Sequence, residues 1–170
     1  MDLTSLIRDV PDFPKKGILF KDITPLLGHP AGFRQAIDQL AERFRGEKIE
    51  VVAGIESRGF ILGAALALAL GVGFVPIRKP GKLPYQTRRH EYQLEYGRDA
   101  VEIHVDAFPK GQRVLLVDDV IATGGTAKAA ADLIREVGGT LVAIAFLVEL
   151  GFLKGLEKLP GENVFALIRY

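Results

Sequence analysis

The chain has 170 residues, 48% hydrophobic and 25% charged, which is long enough for one well-packed domain and too short for two ordinary ones. Its 22 basic and 21 acidic residues give a formal net charge of +1, which excludes a global field favouring nucleic acid or an anionic membrane as partner. Cysteine is absent, which excludes disulfides and thiolate chemistry and, with no signal peptide visible, favours a cytoplasmic location.

The N-terminal part of the chain is predicted to be a short helix, a loop and a longer amphipathic helix. The short helical stripe ends at Pro11 and is formed by Leu3, Leu6, Ile7 and Val10. Residues 13–17 are rich in proline and glycine, which predicts a loop. The longer helix is indicated by apolar residues on one face, which are Phe33, Ile37, Leu40, Ala41 and Phe44.

The middle of the chain is predicted to form a strand, a helix and a second strand. Residues 49–53 and 74–77 predict the strands. The glycine- and alanine-rich run at 60–74 is shorter than the ~20 residues of a membrane-spanning helix, so it is expected to be a buried helix. Residues 78–92 have no sustained period, which favours a mobile lid, and residues 101–105 alternate like a half-exposed strand.

The C-terminal third begins with four branched apolar residues at 114–117, which suit a central parallel strand buried on both faces. A helix is expected at 127–137 and further strands at 141–150 and 164–168. This alternation predicts an α/β fold with one domain over residues 1–170. Its central, mostly parallel, twisted sheet would be flanked by helices, with ligands bound beyond the carboxyl ends of the strands.

Two adjacent acids and a glycine–threonine turn follow the strand at 114–117. Glycines let the backbone approach a ligand, threonine hydroxyls add donors, and a helix N-terminus favours an anion. Asp118 and Asp119 would repel a bare phosphate, so either a metal ion or a ligand that also carries hydroxyls is expected. Ribose 5-phosphate carries a phosphate and a vicinal diol at such a spacing. The alternative is an ordinary turn whose acids favour the helix dipole. The motifs of P-loop, dinucleotide-binding and α/β-hydrolase sites are absent here.

Polar and charged residues also follow the two strands predicted in the middle of the chain. They are Glu56, Ser57 and Arg58 after the first strand, and Arg78, Lys79 and Lys82 after the second. Their guanidinium, ammonium and backbone donors suit a second anionic group, so a doubly phosphorylated sugar is predicted. The alternative for the basic loop is a solvated run of surface charge.

The acids and the turn resemble a known motif. Residues 114–126 resemble the phosphoribosyl diphosphate (PRPP) signature of type I phosphoribosyltransferases, and the form of 122–126 is similar to the adenine-specific branch. Four further blocks resemble that branch in the same order, at residues 13–25, 56–60, 78–84 and 94–97.

The resemblance implies a salvage reaction in which adenine and PRPP give AMP and pyrophosphate, with Mg²⁺ bound to the diphosphate. It also implies a homodimer, an N-terminal hood at residues 1–30 that holds adenine, and a flexible catalytic loop at residues 79–97. Magnesium is expected to bind through the diphosphate and the ribose hydroxyls, with no direct protein ligand assigned.

The resemblance also assigns roles to residues. Asp118 and Asp119 are expected to bind the ribose hydroxyls and to stabilise positive charge at the anomeric carbon. The 5-phosphate is expected to bind to Ala122, Thr123, Gly124, Gly125 and Thr126. The diphosphate is expected to bind to Glu56, Ser57, Arg58, Arg78, Lys79 and Lys82. Members of the family often have a cis peptide near Glu56 and Ser57.

The base side of the reaction gives weaker signals. Relatives specific for 6-oxopurines commonly carry an aspartate where this chain has Ala122, so Glu95 is the candidate general base for adenine N9. Tyr96 is expected to help close the loop. Adenine is expected to meet the main chain of Leu19, Phe20 and Lys21. Two alternatives stay open: a phosphoribosyltransferase for xanthine, guanine or hypoxanthine, and a non-catalytic regulator of the same fold.

Overall fold

The structure is a computed structural model that describes residues 1–94 and 97–170. Glu95 and Tyr96, the predicted general base and loop residue, lie outside the described residues. The strands are β1 Arg8–Pro11, β2 Leu19–Asp22, β3 Val51–Ile55, β4 Gly73–Ile77, β5 Thr87–Gln93, β6 Arg98–His104, β7 Arg113–Ile121, β8 Thr140–Glu149 and β9 Val164–Arg169. The helices are α1 Thr24–Leu27, α2 Pro30–Phe44, α3 Arg58–Leu70 and α4 Gly125–Glu136.

A parallel sheet of five strands, in the order β4-β3-β7-β8-β9, forms the centre of the fold. The middle strand β7 is buried on both faces, as the apolar run at 114–117 predicts. Leu115 and Val117 pack on the side of α2 and α3, whereas Val114 and Leu116 pack on the side of α4. Each such burial contributes roughly 1.5–3 kcal/mol. The predicted α/β class, a parallel sheet flanked by helices, is confirmed.

The helix α3 is shorter and less buried than the predicted helix at 60–74. It ends at Leu70, because Gly71 takes a positive φ of 72° that stops the helix. One side of α3 enters the core through Leu62 and Leu66. The other side is apolar and exposed, and consists of Ile61, Ala64 and Leu68. The prediction of a buried helix is therefore wrong for this face, where Leu68 is 84% exposed.

Within residues 1–94 and 97–170, every helix is too short or too polar to span a membrane.

The predicted N-terminal helical stripe is wrong beyond Leu6. Leu3–Leu6 form a short 3-10 helix, which Asp2 begins by accepting a hydrogen bond from the amide of Thr4. The chain then extends into β1, which pairs antiparallel with β2. The helical spacing is misleading because both Leu3, which lies in the 3-10 helix, and Ile7, which directly follows it, are buried without a longer helix.

The segment 78–92, predicted as a loop without regular structure, contains the strand β5. It pairs antiparallel with β6 to form a hairpin that lies on α4. The inward side chains of β5 include His90, which contacts Glu136 of α4. Because these inner positions meet polar partners, the strand lacks the apolar alternation that would have revealed it. β6 is also more buried than the half-exposed strand predicted at 101–105, and ends at His104.

Candidate active site

Residues 122–126, which form the turn after β7 and the first two residues of α4, lie at the carboxyl end of the central strand. Together with Asp118 and Phe146, these residues line a pocket of about 100 Å³. We call it the phosphate pocket, and residues 122–126 the phosphate turn, after the predicted ligand. The first amides of a helix have no acceptor within the helix, so they carry partial positive charge toward this pocket. All five predicted phosphate-binding residues are brought together here, namely Ala122, Thr123, Gly124, Gly125 and Thr126.

Two glycines fix the shape of this turn. Gly124 has a φ of 83°, which a residue with a Cβ rarely adopts. A Cβ on Gly124 would collide with the carbonyl oxygen of Gly155, and a Cβ on Gly155 would collide with that of Ala122. The main chain of the turn therefore packs directly against the main chain of the segment that follows β8.

The neighbouring acids Asp118 and Asp119 lie in different surroundings. Asp118 Oδ1 accepts the amide of Asp119 at 2.8 Å and would lie 2.9 Å from a Cβ on Gly59, so it sits against the start of α3. Burial, followed by the negative charge of Asp119, raises the pKa of Asp118 well above its usual value. The carboxylate of Asp119 is buried and forms an ion pair with Nε of Arg58.

The loop after β3 places Arg58 beside the acids and beside the N-terminal hairpin. Its guanidinium carbon lies 5.2 Å from the centre of the Phe20 ring, within the range of a cation–π contact. The peptide bond between Glu56 and Ser57 is cis. The loop brings the predicted residue Arg58 to Asp119, while Glu56 turns toward the segment that follows β4.

Acidic side chains hold the basic segment, residues 78–82, in place. Glu56 accepts hydrogen bonds from Arg78 at 2.8 and 3.0 Å and from the amide of Lys79 at 2.7 Å. Glu102, only 8% exposed, accepts the amide of Gly81 at 3.2 Å. Burial pushes the pKa of Glu56 upward, but the bonds from the Lys79 amide and Arg78 outweigh it and hold that pKa below its usual value.

The three predicted cations of the basic segment therefore differ. The guanidinium of Arg78 is occupied by Glu56, and also donates to the carbonyl of Lys82 at 3.3 Å. Lys79 forms an ion pair with Asp99 of β6. The side chain of Lys82 is exposed. Arg78 mainly organises the segment, whereas Lys79 and Lys82 extend charge beyond it.

A second cavity, of about 570 Å³, adjoins the phosphate pocket. Most of its lining is apolar and includes Ile18, Leu19, Phe20, Leu150, Phe152 and Leu153. It shares Val120, Ala122 and Thr123 with the phosphate pocket. A flat apolar group and a phosphate that belong to one ligand could therefore occupy the two spaces together.

Lys21 borders this cavity, but its ammonium group is bound elsewhere. Nζ donates to Asp9 at 2.6 Å and lies 3.7 Å from the centre of the Tyr170 ring. The side chain is only 9% exposed. The charge of Lys21 thus ties the N-terminal hairpin to the end of β9, which is compatible with base contacts made by its main chain.

Several site residues escaped the sequence analysis. Phe152 and Leu153 follow β8 and line the cavity, so applying the strand-end rule to every strand would have indicated them. Tyr92 and Asp99 contact Lys79. In the sequence, Tyr92 and Asp99 are only polar residues near a predicted loop and a predicted strand. That pattern does not indicate a role for either residue.

Comparisons with known proteins agree with this geometry. A profile of the phosphoribosyl transferase domain matches residues 23–158. An adenine phosphoribosyltransferase from Acaryochloris marina is 59% identical over 170 residues, the full length of both chains. The crystal structure of adenine phosphoribosyltransferase from Thermoanaerobacter pseudethanolicus has a TM-score of 0.97 and 53% identity, covering 99% of this chain and 98% of its own.

A further crystal structure, of the Saccharomyces cerevisiae adenine phosphoribosyltransferase complexed with an imino-altritol bisphosphate and adenine, is 46% identical with a TM-score of 0.92. It covers 98% of this chain and 96% of its own. The resemblance found in the sequence motifs is therefore confirmed: the chain belongs to the phosphoribosyltransferase family, among its adenine phosphoribosyltransferases.

Proposed function

We infer that this chain transfers the 5-phosphoribosyl group from PRPP to adenine, giving AMP and pyrophosphate. One observation carries this function: the phosphate pocket and the larger apolar cavity share Val120, Ala122 and Thr123. A nucleoside monophosphate fits such a pair of spaces, with its phosphate on the turn and its base in the cavity. Relatives at 53–59% identity carry the name adenine phosphoribosyltransferase, and the yeast relative was crystallised with adenine.

We propose that the two acids act on the ribose in different ways. Asp119, which forms an ion pair with Arg58, would accept a ribose hydroxyl and stabilise positive charge at the anomeric carbon as pyrophosphate leaves. Asp118, whose pKa is raised by burial and by the charge of Asp119, would accept a hydrogen bond from the other ribose hydroxyl. Arg58 would then be free to exchange Asp119 for the diphosphate.

Asp119→Asn tests this role. Removing the charge while keeping the shape is expected to lower kcat/KM by about 10²–10³-fold, as for loss of one electrostatic contact to a transition state. Far-ultraviolet circular dichroism should match that of the parent. Parent-like turnover in this variant would remove Asp119 from the reaction.

Proton removal from adenine N9 is assigned to Glu95, on the family resemblance alone. Glu95→Gln is expected to lower kcat by about 10²–10⁴-fold and to remove the acidic limb of the pH–rate profile. A rate within a few-fold of the parent across pH would instead point to proton loss to water or phosphate. Tyr96→Phe, from the same segment, is the matched control and should leave the acidic limb in place.

Mg²⁺ would be held chiefly by the substrate. Among residues 1–94 and 97–170, no group of three or more acidic, histidine or cysteine side chains could hold a metal ion. Magnesium commonly binds one or two carboxylates and substrate phosphates while keeping several waters. The donor set here, Asp118 with the diphosphate and ribose hydroxyls, fits that chemistry, and the ion would supply charge neutralisation of the leaving diphosphate.

We propose a homodimer built on the exposed apolar face of α3. Ile61, Ala64 and Leu68 form this face, and apolar stripes of this kind usually pack against a partner. Light scattering during gel filtration is expected to give twice the chain mass for the parent and a lower mass for Leu68→Asp. A monomeric parent would contradict the dimer, and a dimeric Leu68→Asp would contradict this face.

The domain boundaries stay predictions: a hood at residues 1–30 and a catalytic loop at 79–97 within one domain of 1–170. So does the cytoplasmic location, which cell fractionation tests.

The function itself is tested by pyrophosphate release from PRPP with adenine, hypoxanthine, guanine and xanthine. We expect kcat/KM for adenine to exceed the others by several orders of magnitude, because a site built for the exocyclic amine leaves polar groups unpaired against an oxo group. Preference for a 6-oxopurine would end the adenine assignment. PRPP binding without turnover for any base would favour a regulator.

A further inference from the structure

A chain of four polar side chains joins the basic segment to the phosphate turn. Thr126 Oγ1 donates to the Tyr92 hydroxyl at 3.0 Å, and the Tyr92 hydroxyl donates to Asp99 Oδ2 at 3.1 Å. Lys79 Nζ pairs with the same Asp99 oxygen and lies 3.3 Å from the Tyr92 hydroxyl. Lys79 follows β4 and Thr126 lies in the first turn of α4, so these hydrogen-bonded side chains connect two of the predicted anion sites.

The β5–β6 hairpin sets the geometry of this chain. Tyr92 and Asp99 are direct partners in the antiparallel pairing, so their side chains stand side by side on one face. The Tyr92 ring also packs against the turn, since a Cβ on Gly125 would lie 3.4 Å from Tyr92 Cδ2. The Ala100 amide donates to Asp99 Oδ1 at 2.8 Å, which fixes the carboxylate.

The hydrogen bonds from Asp99 and Tyr92 hold Lys79 in one place while leaving it able to bind an anion. An ammonium has three N–H donors, of which Asp99 and Tyr92 take two. The Lys79 side chain is still 39% exposed, so a ligand can reach it from solvent. A free lysine side chain loses rotamer entropy when it is ordered, and here that loss precedes substrate binding.

Both charges of the pair are maintained. Burial lowers the pKa of Lys79, but its bonds to Asp99 and Tyr92 outweigh this and leave the pKa above its usual value. Burial likewise raises the pKa of Asp99, while the Lys79, Ala100 and Tyr92 hydrogen bonds outweigh it and leave that pKa lowered. If Thr126 turns its proton to a bound phosphate, the Tyr92 hydroxyl still donates its one proton to Asp99 and still lies 3.3 Å from Lys79 Nζ.

We propose that Tyr92 and Asp99 are positioning residues that act through Lys79, fixing its ammonium against the phosphate turn so that both ends of PRPP meet prearranged donors. The proposal deepens the inferred function and rests on it. Neither residue is required to touch substrate.

The test combines substitutions with two readouts, steady-state kinetics and calorimetric PRPP binding in the presence of Mg²⁺. Tyr92→Phe and Asp99→Asn are each expected to raise KM and Kd for PRPP by about fivefold to tenfold while leaving KM for adenine unchanged. Asp106→Asn, which neutralises an exposed aspartate just beyond the end of β6, is the matched control for Asp99→Asn and should change neither constant for PRPP.

A double-mutant cycle distinguishes an effect of Tyr92 that acts through Lys79 from a general destabilisation of the hairpin. In a Lys79→Met background, Tyr92→Phe should add no further loss of PRPP affinity, because Tyr92 acts through that lysine. Full additivity would overturn the proposal. A tighter Kd for PRPP in Asp99→Asn would also overturn it, since Asp99 would then sequester Lys79 rather than position it.

The binding readout keeps the two proposals apart. A parent that binds PRPP but does not turn over adenine would refute the inferred reaction, while the Kd values of the variants would still decide the role of Tyr92 and Asp99. A parent that binds no PRPP would overturn both.

Discussion

The turn at 122–126 and the basic segment at 78–82 are both proposed to bind anions, but different forces hold them in place. The turn is fixed by main-chain packing, in which Gly124 meets Gly155 beyond a strand buried on both faces. The basic segment is fixed by charge, through Glu56, Asp99 and Glu102. The turn should therefore respond to added volume, and the basic segment to charge, pH and salt.

The largest effect is expected where volume is added to the turn. Gly124→Ala forces a Cβ into the carbonyl of Gly155, so the turn must shift, and a shift of about 1 Å is expected to lower kcat/KM by roughly 10²-fold. Gly161→Ala is the matched control, because Gly161 has a φ of 75° with no heavy atom within 4 Å of the new Cβ. Both variants strain the backbone, so only the collision separates them. Equal kinetic losses would show that the packing does not shape the turn.

A smaller effect is expected where charge is removed from the basic segment. Glu56→Gln leaves Arg78 without its carboxylate and is expected to raise KM for PRPP about tenfold and to lower the free energy of unfolding by about 1–2 kcal/mol. The control is Glu50→Gln, since Glu50 also accepts a main-chain amide, that of Arg113 at 2.8 Å. It should change stability only. An unchanged KM in Glu56→Gln would mean that the segment keeps its shape without the acid.

The smallest effect, and the sharpest contrast, is in the pH dependence of stability. The folded-state pKa of Glu56 is lowered, so its contribution is present above its usual pKa of 4.5 and is lost as pH falls through the lower folded value. The folded-state pKa of Asp118 is raised, so stability falls as pH rises from its usual 3.8 toward the higher folded value.

Chemical unfolding at a series of pH values checks these signs. Relative to the parent, Glu56→Gln should lose less stability on acidification, and Asp118→Asn should lose less as the pH is raised. Curves that move in the same direction for both variants would contradict the assignment of opposite shifts.

Sequence reasoning succeeded where apolar patterns or contiguous motifs decide the structure. The run at 114–117 requires burial on both faces, and the helical spacing of Phe33 to Phe44 leaves one face for the core, so β7 and α2 were predictable. The turn at 122–126 was predictable because its five residues are neighbours in the chain. Side chains that contact across the fold gave no such signal.

The errors have physical causes. β5 was missed because its inner face meets polar groups of α4, and β1 because neither face of that short strand is well buried. The exposure of Leu68 was missed because the sequence of an apolar helix does not show whether its apolar face packs against the same chain or against another one. The pairing of Tyr92 with Asp99 depends on hairpin register, which one charged strand does not reveal.

The lining of the larger cavity limits how its selectivity could be redesigned. Apart from Lys21, Arg58 and Thr123, it is bordered by glycine and apolar residues, and the two cations are already paired with acids. If the base binds in this cavity as proposed, its discrimination would come largely from main-chain amides and carbonyls, which most side-chain exchanges leave in place. Directed evolution toward another purine would therefore have to reroute the backbone around Ile18 to Lys21, by insertion or deletion, rather than replace one side chain.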